Sequence, residues 1–140
     1  MEYKELAKYV FAMERVDWEL HSYKSRKRQL VQARQISIYL ANWFWPLMPD
    51  RELTELFNQD HCMVHHTLKS VKSLLFSDKD YRAKMDRYLR DISNKIKEED
   101  IIKIKKEMEE ESFRKKILDT IDSMEIIARV YADIKGLKIQ

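Results

Sequence analysis

Tyr3, Leu6, Val10, Met13, Val16 and Leu20 recur at steps of three and four with charged residues between them, the spacing of one face of an amphipathic helix. The pattern predicts a first helix over about residues 2 to 22. A second apolar run extends from Leu30 to Phe44 and stops at Trp45, because Pro46 disfavours α geometry in the residue before it. Pro49 and Asp50 open a short helical segment that carries Leu53, Leu56 and Phe57 on one side. Asn58 and Gln59 separate it from Asp60, and asparagine tolerates the left-handed conformation well enough to make a tight turn without glycine. Asp60 has the side chain of an N-cap, able to accept from the free N–H groups of a first turn. Val64, Leu68, Val71 and Leu75 then lie along one helical face, and His61, Cys62, His65 and Lys69 fall away from it. Ser77, Asp78 and Asp80 start a further helix to about Lys97, with Tyr81, Met85, Tyr88, Leu89 and Ile92 as its buried face. After an acid and lysine stretch from Glu98 to Glu111, a last helix is predicted from about Ser112, showing Phe113, Ile117, Ile121, Met124, Ala128 and Tyr131. No repeat of fixed period is visible.

Composition sharpens this into an all-α fold. One glycine and two prolines in 140 residues fall far below the roughly 7% and 5% of average proteins, which starves the chain of hairpin turns. A chain of this length buries about two-thirds of its unfolded surface without disulfides or metal. The single cysteine, Cys62, forms no internal disulfide, and the N-terminus shows no charged start followed by an apolar run and a cleavage site. A cytoplasmic protein is expected. The most apolar stretch, Ile36 to Met48, is broken by Ser37, Asn42 and Pro46 and is short of the roughly 20 residues a bilayer requires.

The net charge of +3 says little, but its distribution says more. Residues 1 to 20 carry three bases and five acids, residues 21 to 75 eight bases and four acids, and residues 76 to 140 sixteen bases and fifteen acids. The middle of the chain is the basic part, and Lys24-Ser25-Arg26-Lys27-Arg28 puts four bases into five residues. In order, the middle reads as basic loop, long helix, short helix, turn, and capped helix with polar groups at its exposed start. That is the order of a helix-turn-helix, whose second helix enters the DNA major groove.

Three of the four histidines, the cysteine and an acid crowd into residues 60 to 66. His61 with His65, or Cys62 with His66, are four apart and have metal-binding atoms, but no third and fourth ligand is visible. A nucleophilic Cys–His pair needs the base beside the thiol with a third group to orient it, and adjacent helical residues point differently. No metal site and no catalytic residue is assigned. The aromatic group Trp43, Phe44 and Trp45 is assigned to core packing.

These residues resemble a known family, the C-terminal DNA-binding domain of the bacterial replication initiator DnaA. "SRKRQLVQARQISIYLA" is similar to the family's basic loop running into an Arg-Gln helix, "DRELTELF" stands where the family has a short helix ending in phenylalanine, and "DHCMVHHTLKSV" resembles the signature D-H-[ST]-T-V-x-H-A. The resemblance covers roughly residues 22 to 97. It implies a TrpR-like helix-turn-helix with additional N- and C-terminal helices, in three parts: residues 1–22, 23–97 and 98–140. It implies double-stranded DNA as partner. Arg26 then corresponds to a minor-groove arginine, and Lys27 and Arg28 to phosphate contacts flanking it. Arg34 and Gln35 correspond to a pair that clamps phosphates, Asp60 and His61 to base-edge contacts, and His66 and Lys69 to positions facing phosphate. Cys62 and Met63 replace hydroxyl residues of the signature, so their contacts to bases become mainly apolar and the preferred DNA sequence shifts. The turn lacks the family's glycines. No G-x-x-x-x-G-K-[ST] phosphate loop occurs in the sequence, so no nucleotide, other cofactor or ATPase activity is expected. A role in replication initiation or its regulation follows from the resemblance alone. The alternative is a module of the same fold that binds a replication protein rather than DNA. Either terminal helix is a candidate homodimer surface.

Overall fold

The computed structural model describes residues 1–134, with side chains to residue 130. Residues 135–140 of the expected C-terminal extension, and the side chain of Tyr131, lie outside the described residues. Among the described residues all regular structure is helical: α1 (Tyr3–Met13), α2 (Arg28–Phe44), α3 (Asp50–Glu55), α4 (Met63–Ser77) and α5 (Lys79–Ile134), with a single 3₁₀ turn at Trp18–Leu20. No helix of the described residues is long and apolar enough to cross a membrane. The described residues divide into two units, residues 1–96 and residues 97–134.

In the first unit α2 is the central element, buried nearly all round. Ile36 and Leu40 join Leu6, Val10, Val71, Tyr81, Met85, Tyr88 and Ile92 in one cluster. Leu30, Ala33, Ile38 and Ala41 on the other side meet Ala7, Phe11, Leu53, Phe57 and Val64. A fully buried leucine or isoleucine contributes about 1.5–3 kcal/mol, so α2 sets the position of everything packed on it. The buried polar groups are satisfied locally: Ser37 Oγ donates to the Ala33 carbonyl at 2.8 Å and Thr54 Oγ1 to the Asp50 carbonyl at 3.0 Å. Across the unit the Tyr3 hydroxyl donates to the Leu53 carbonyl at 2.6 Å, the Tyr9 hydroxyl donates to Asp91 Oδ2 at 2.6 Å, and Lys84 pairs with Glu14 at 2.9 Å. The N-terminal helix is thus built into the same unit as the central helices.

Three expectations are corrected. The first helix ends at Met13, not near residue 22, because Arg15 adopts φ 58° and the Val16 N–H closes back on the Phe11 carbonyl at 2.9 Å. The turn brings Trp18 edge-on to Phe11, with ring centroids 5.1 Å apart, and Asp17 caps the 3₁₀ turn that follows by accepting from the Glu19 N–H. Aromatic contact offsets a left-handed residue that costs roughly 1–2 kcal/mol. Secondly, Trp43 is 60% exposed, so only Phe44 and Trp45 of the aromatic group pack on the core. Thirdly, no separate last helix begins at Ser112, since α5 is continuous. Residues 97 to 134 contain neither glycine nor proline, and Glu99–Lys103, Glu110–Arg114 and Glu111–Lys115 sit at the favourable i,i+4 spacing, each pair contributing about 0.2–0.5 kcal/mol. In this second unit every described side chain from Lys97 to Val130 is exposed.

Candidate nucleic-acid interface

The loop before α2 is shaped from beneath by Arg34. Its guanidinium donates from Nη1 to the Tyr23 carbonyl at 3.0 Å and from Nη2 to the Ser25 carbonyl at 2.7 Å, and the residue is only 7% exposed. Burial lowers its pKa from the ordinary value, though an arginine remains cationic. Ser25 Oγ also accepts from the Lys27 N–H at 3.3 Å. With the loop backbone tied down at these points, Arg26, Lys27 and Arg28 present exposed side chains. Lys27 takes the N-cap position of α2 without a side-chain cap, and the first turn of α2 has no acid. Two cations at a helix N-terminus oppose the helix dipole at roughly 0.3–1 kcal/mol each. The same place, with its backbone N–H groups and surrounding bases, suits an anion.

Arg34, which the resemblance pairs with Gln35 as a phosphate clamp, is thus a buried fork engaged by two loop carbonyls. Gln35, beside it, is half-buried.

The second part of the site is the turn into α4. Asn58 adopts φ 53°, and the Gln59 N–H reaches back to the Thr54 carbonyl at 3.1 Å, which reverses the chain without glycine as the sequence suggests. Asp60 then accepts from the Cys62 N–H at 3.0 Å through Oδ1, and its own carbonyl accepts from the Met63 N–H. The Cys62 N–H holds the Asp60 carboxyl below its ordinary pKa of 3.8. Asp60 therefore caps the turn that leads into α4, and the helix itself starts at Met63, two residues later than a direct N-cap would place it. Val64, Thr67 and Val71 go inward, while His61, Cys62, Met63, His65, His66 and Lys69 are exposed.

Asp60, His61 and Cys62 bring three potential ligand atoms within 4.8 Å of one another. His61 Nδ1 lies 3.4 Å from Asp60 Oδ1 and its Nε2 lies 3.8 Å from Cys62 Sγ. All three groups are exposed, and no fourth side chain joins them among the described residues. Asp60 raises the pKa of the Cys62 thiol through its hydrogen bond and charge, and a raised thiol is a poor nucleophile at neutral pH.

The two parts meet. A cleft of about 450 Å³ is lined by Lys24, Ser25, Arg26, Arg34 and Gln35 from one side and by Asn58, Gln59, Asp60, Met63 and Thr67 from the other. An adjoining cleft of about 560 Å³ includes Lys24, Arg51, Asn58, Gln59, Asp60 and His61. Lys27 borders a different hollow, with Arg15 and Asp17, and Lys69 lines another with His65, Lys72 and Phe76. Arg28, Cys62 and His66 line none of these. Sequence reasoning missed Lys24 and Arg51 as lining residues. Lys24 belongs to the basic run, and Arg51 sits on the first helix of a helix-turn-helix order, the element that crosses the phosphate backbone.

No family model matches the chain. A stretch of 62 residues is 42% identical to the chromosomal replication initiator protein DnaA of Bacteroides thetaiotaomicron, covering 44% of this chain and 13% of that protein. The DnaA of Sulfurimonas denitrificans is 37% identical over 75 residues, covering 52% of this chain and 16% of that protein. The DnaA of Flavobacterium psychrophilum is 31% identical over 81 residues, or 58% of this chain and 16% of that protein. The chain therefore spans about 13 to 16% of the length of the curated relatives it matches. The matches resemble the C-terminal region of DnaA, and the helical fold is of that domain's type.

Proposed function

We propose that the first unit binds double-stranded DNA in a sequence-dependent way, with the start of α4 in the major groove and the 24–28 loop in the adjacent minor groove. The observation that carries this reading is the shared cleft: Arg26, Asp60 and Met63 border one concavity, so one duplex can meet the loop and the start of α4 together. Arg26 would enter the minor groove, where a narrow A·T-rich groove attracts its charge. Lys27, Arg28, Gln35, His66 and Lys69 would contact phosphate. Asp60 and His61 would read base edges, and Cys62 and Met63 would offer apolar contact to a thymine methyl. Arg34 acts as a positioning residue that shapes the loop. The role is one of binding, without catalysis, in the cytoplasm, and the DnaA relatives' names suggest replication initiation or its control as its setting.

Selection from random duplexes, followed by gel-shift titration at several salt concentrations, tests the reading. The expected result is an enriched sequence and an affinity that falls by orders of magnitude between low and physiological salt, as contact with half a dozen phosphates requires. No enrichment together with a flat salt dependence would overturn it.

A further inference from the structure

The second unit presents an apolar face that the DNA reading leaves unused. Phe113, Ile117, Ile121, Met124 and Ile127 are each between 43% and 67% exposed. At 3.6 residues per turn they fall within about 120° of arc on one side of α5. Isolated exposed apolar residues are ordinary, but a contiguous stripe marks an interface.

We propose that this stripe pairs with the same stripe of a second copy, the two helices running antiparallel. Three observations select that occupant. The first is charge. Residues 97 to 134 hold eleven acids and eight bases, so neither nucleic acid nor an anionic membrane suits this surface. The second is self-complementarity. Pairing about a two-fold axis near residue 120 sets Phe113 opposite the partner's Ile127 and Ile117 opposite the partner's Met124. Arg114 and Glu125 lie on the same flank of the stripe, roughly 20° apart around the axis. The antiparallel arrangement therefore puts each Arg114 next to the other copy's Glu125, twice by symmetry. A parallel pair would instead set Arg114 and the other copy's Glu125 on opposite flanks of the seam and at different heights, without this pairing. The third is area. Five such side chains offer roughly 100 Å² each, so the pair buries about 1,000 Å² from the stripe alone, the size at which specific association begins. Ile101, Ile104 and Met108 lie on nearly the opposite side of the helix, by the same 100° step, and are not part of this contact.

The test is sedimentation equilibrium of the full chain without DNA, which keeps it independent of the DNA-binding reading. The expected result is a dimer at concentrations on the order of 10 μM. Ile121→Asp should give a monomer, and Ile104→Asp should leave the dimer intact. Arg114→Glu should weaken it about tenfold, because both symmetric pairs turn repulsive, and Arg114→Glu combined with Glu125→Arg should restore it. These surface substitutions leave the core of the first unit untouched, and circular dichroism checks that each variant stays helical. A wild-type monomer at these concentrations, a dimer indifferent to Ile121→Asp, or a charge swap that fails to rescue would each overturn the proposal.

Discussion

Replacing Arg34 by alanine separates a positioning role from a phosphate contact. The guanidinium makes two charge-assisted bonds, at 3.0 Å and 2.7 Å, to the carbonyls of Tyr23 and Ser25. Bonds of this kind are worth about 1.5–3 kcal/mol each. The carbonyls belong to a surface loop and regain water when the arginine is lost, so roughly half the sum should appear as lost stability, about 1.5–3 kcal/mol. For a unit of some 96 residues, at about 4–8 °C per kcal/mol, thermal unfolding should fall by roughly 6–24 °C. Arg34→Lys places one point charge where a fork is needed and should lose about half as much. Tryptophan fluorescence during a thermal scan reads the stability. DNA titration at low temperature, where the variant is still folded, should show weaker binding with an unchanged salt slope, because the exposed bases still meet the phosphates once the loosened loop is ordered. An unfolding temperature near that of the wild type, with a salt slope reduced by about 0.9, would refute the reasoning and identify a direct phosphate contact.

Three further outcomes are expected. Arg26→Ala and His61→Ala should each cost on the order of 1–3 kcal/mol in DNA affinity without lowering thermal stability, since both side chains are exposed; a matching loss of stability would contradict an outward-facing role. At Asn58, with φ 53°, a β-branched valine should destabilise by about 1–2 kcal/mol and glycine should be neutral or stabilising, as chemical denaturation can measure; a tolerated valine would disprove the left-handed turn. In alkali, burial pushes Tyr88 from the ordinary 10.0 up to about 12 and raises Tyr3, Tyr9 and Tyr81 as well. A raised folded-state value gives stability that is complete below about pH 10 and lost as pH climbs through the folded value. Phenolate absorbance from these four residues should therefore rise together with loss of helical signal, and phenolates forming at all four while the helical signal is intact would count against the burial of Tyr88.

The sequence carries α2, α3 and the Asn58 turn clearly, because each is bounded by residues whose backbone preference is strong: Pro46, Pro49 and a left-handed asparagine. The end of α1 is hidden for the opposite reason. Arg15 has no preference for φ 58°; the contact of Trp18 with Phe11 holds it there, and such contacts have no sequence signal. The exposed members of the site, Arg26 and the Asp60–Met63 tip, are legible because clustered charge and a capped helix start are local features. The burial of Arg34 is not legible in this way, since a base near a basic loop reads as one more outward cation until its bonds to the loop carbonyls are seen.

Arg34 also explains why a run of like charges can be held at a helix start at all. Lys27 and Arg28 sit against the positive end of α2 with no acid in the first turn, an arrangement that works against folding in the free protein. The loop is nevertheless held in place by a buried cation whose two bonds to the carbonyls of Tyr23 and Ser25 fix the loop backbone, and whose own charge adds to the positive field at this end of the helix. A duplex would relieve the conflict, because its phosphates neutralise the exposed bases and suit the uncapped helix end. The local conflict in the sequence and the preference for a polyanion are on this view the same property, which is why the site is legible as a charge run and its support is not.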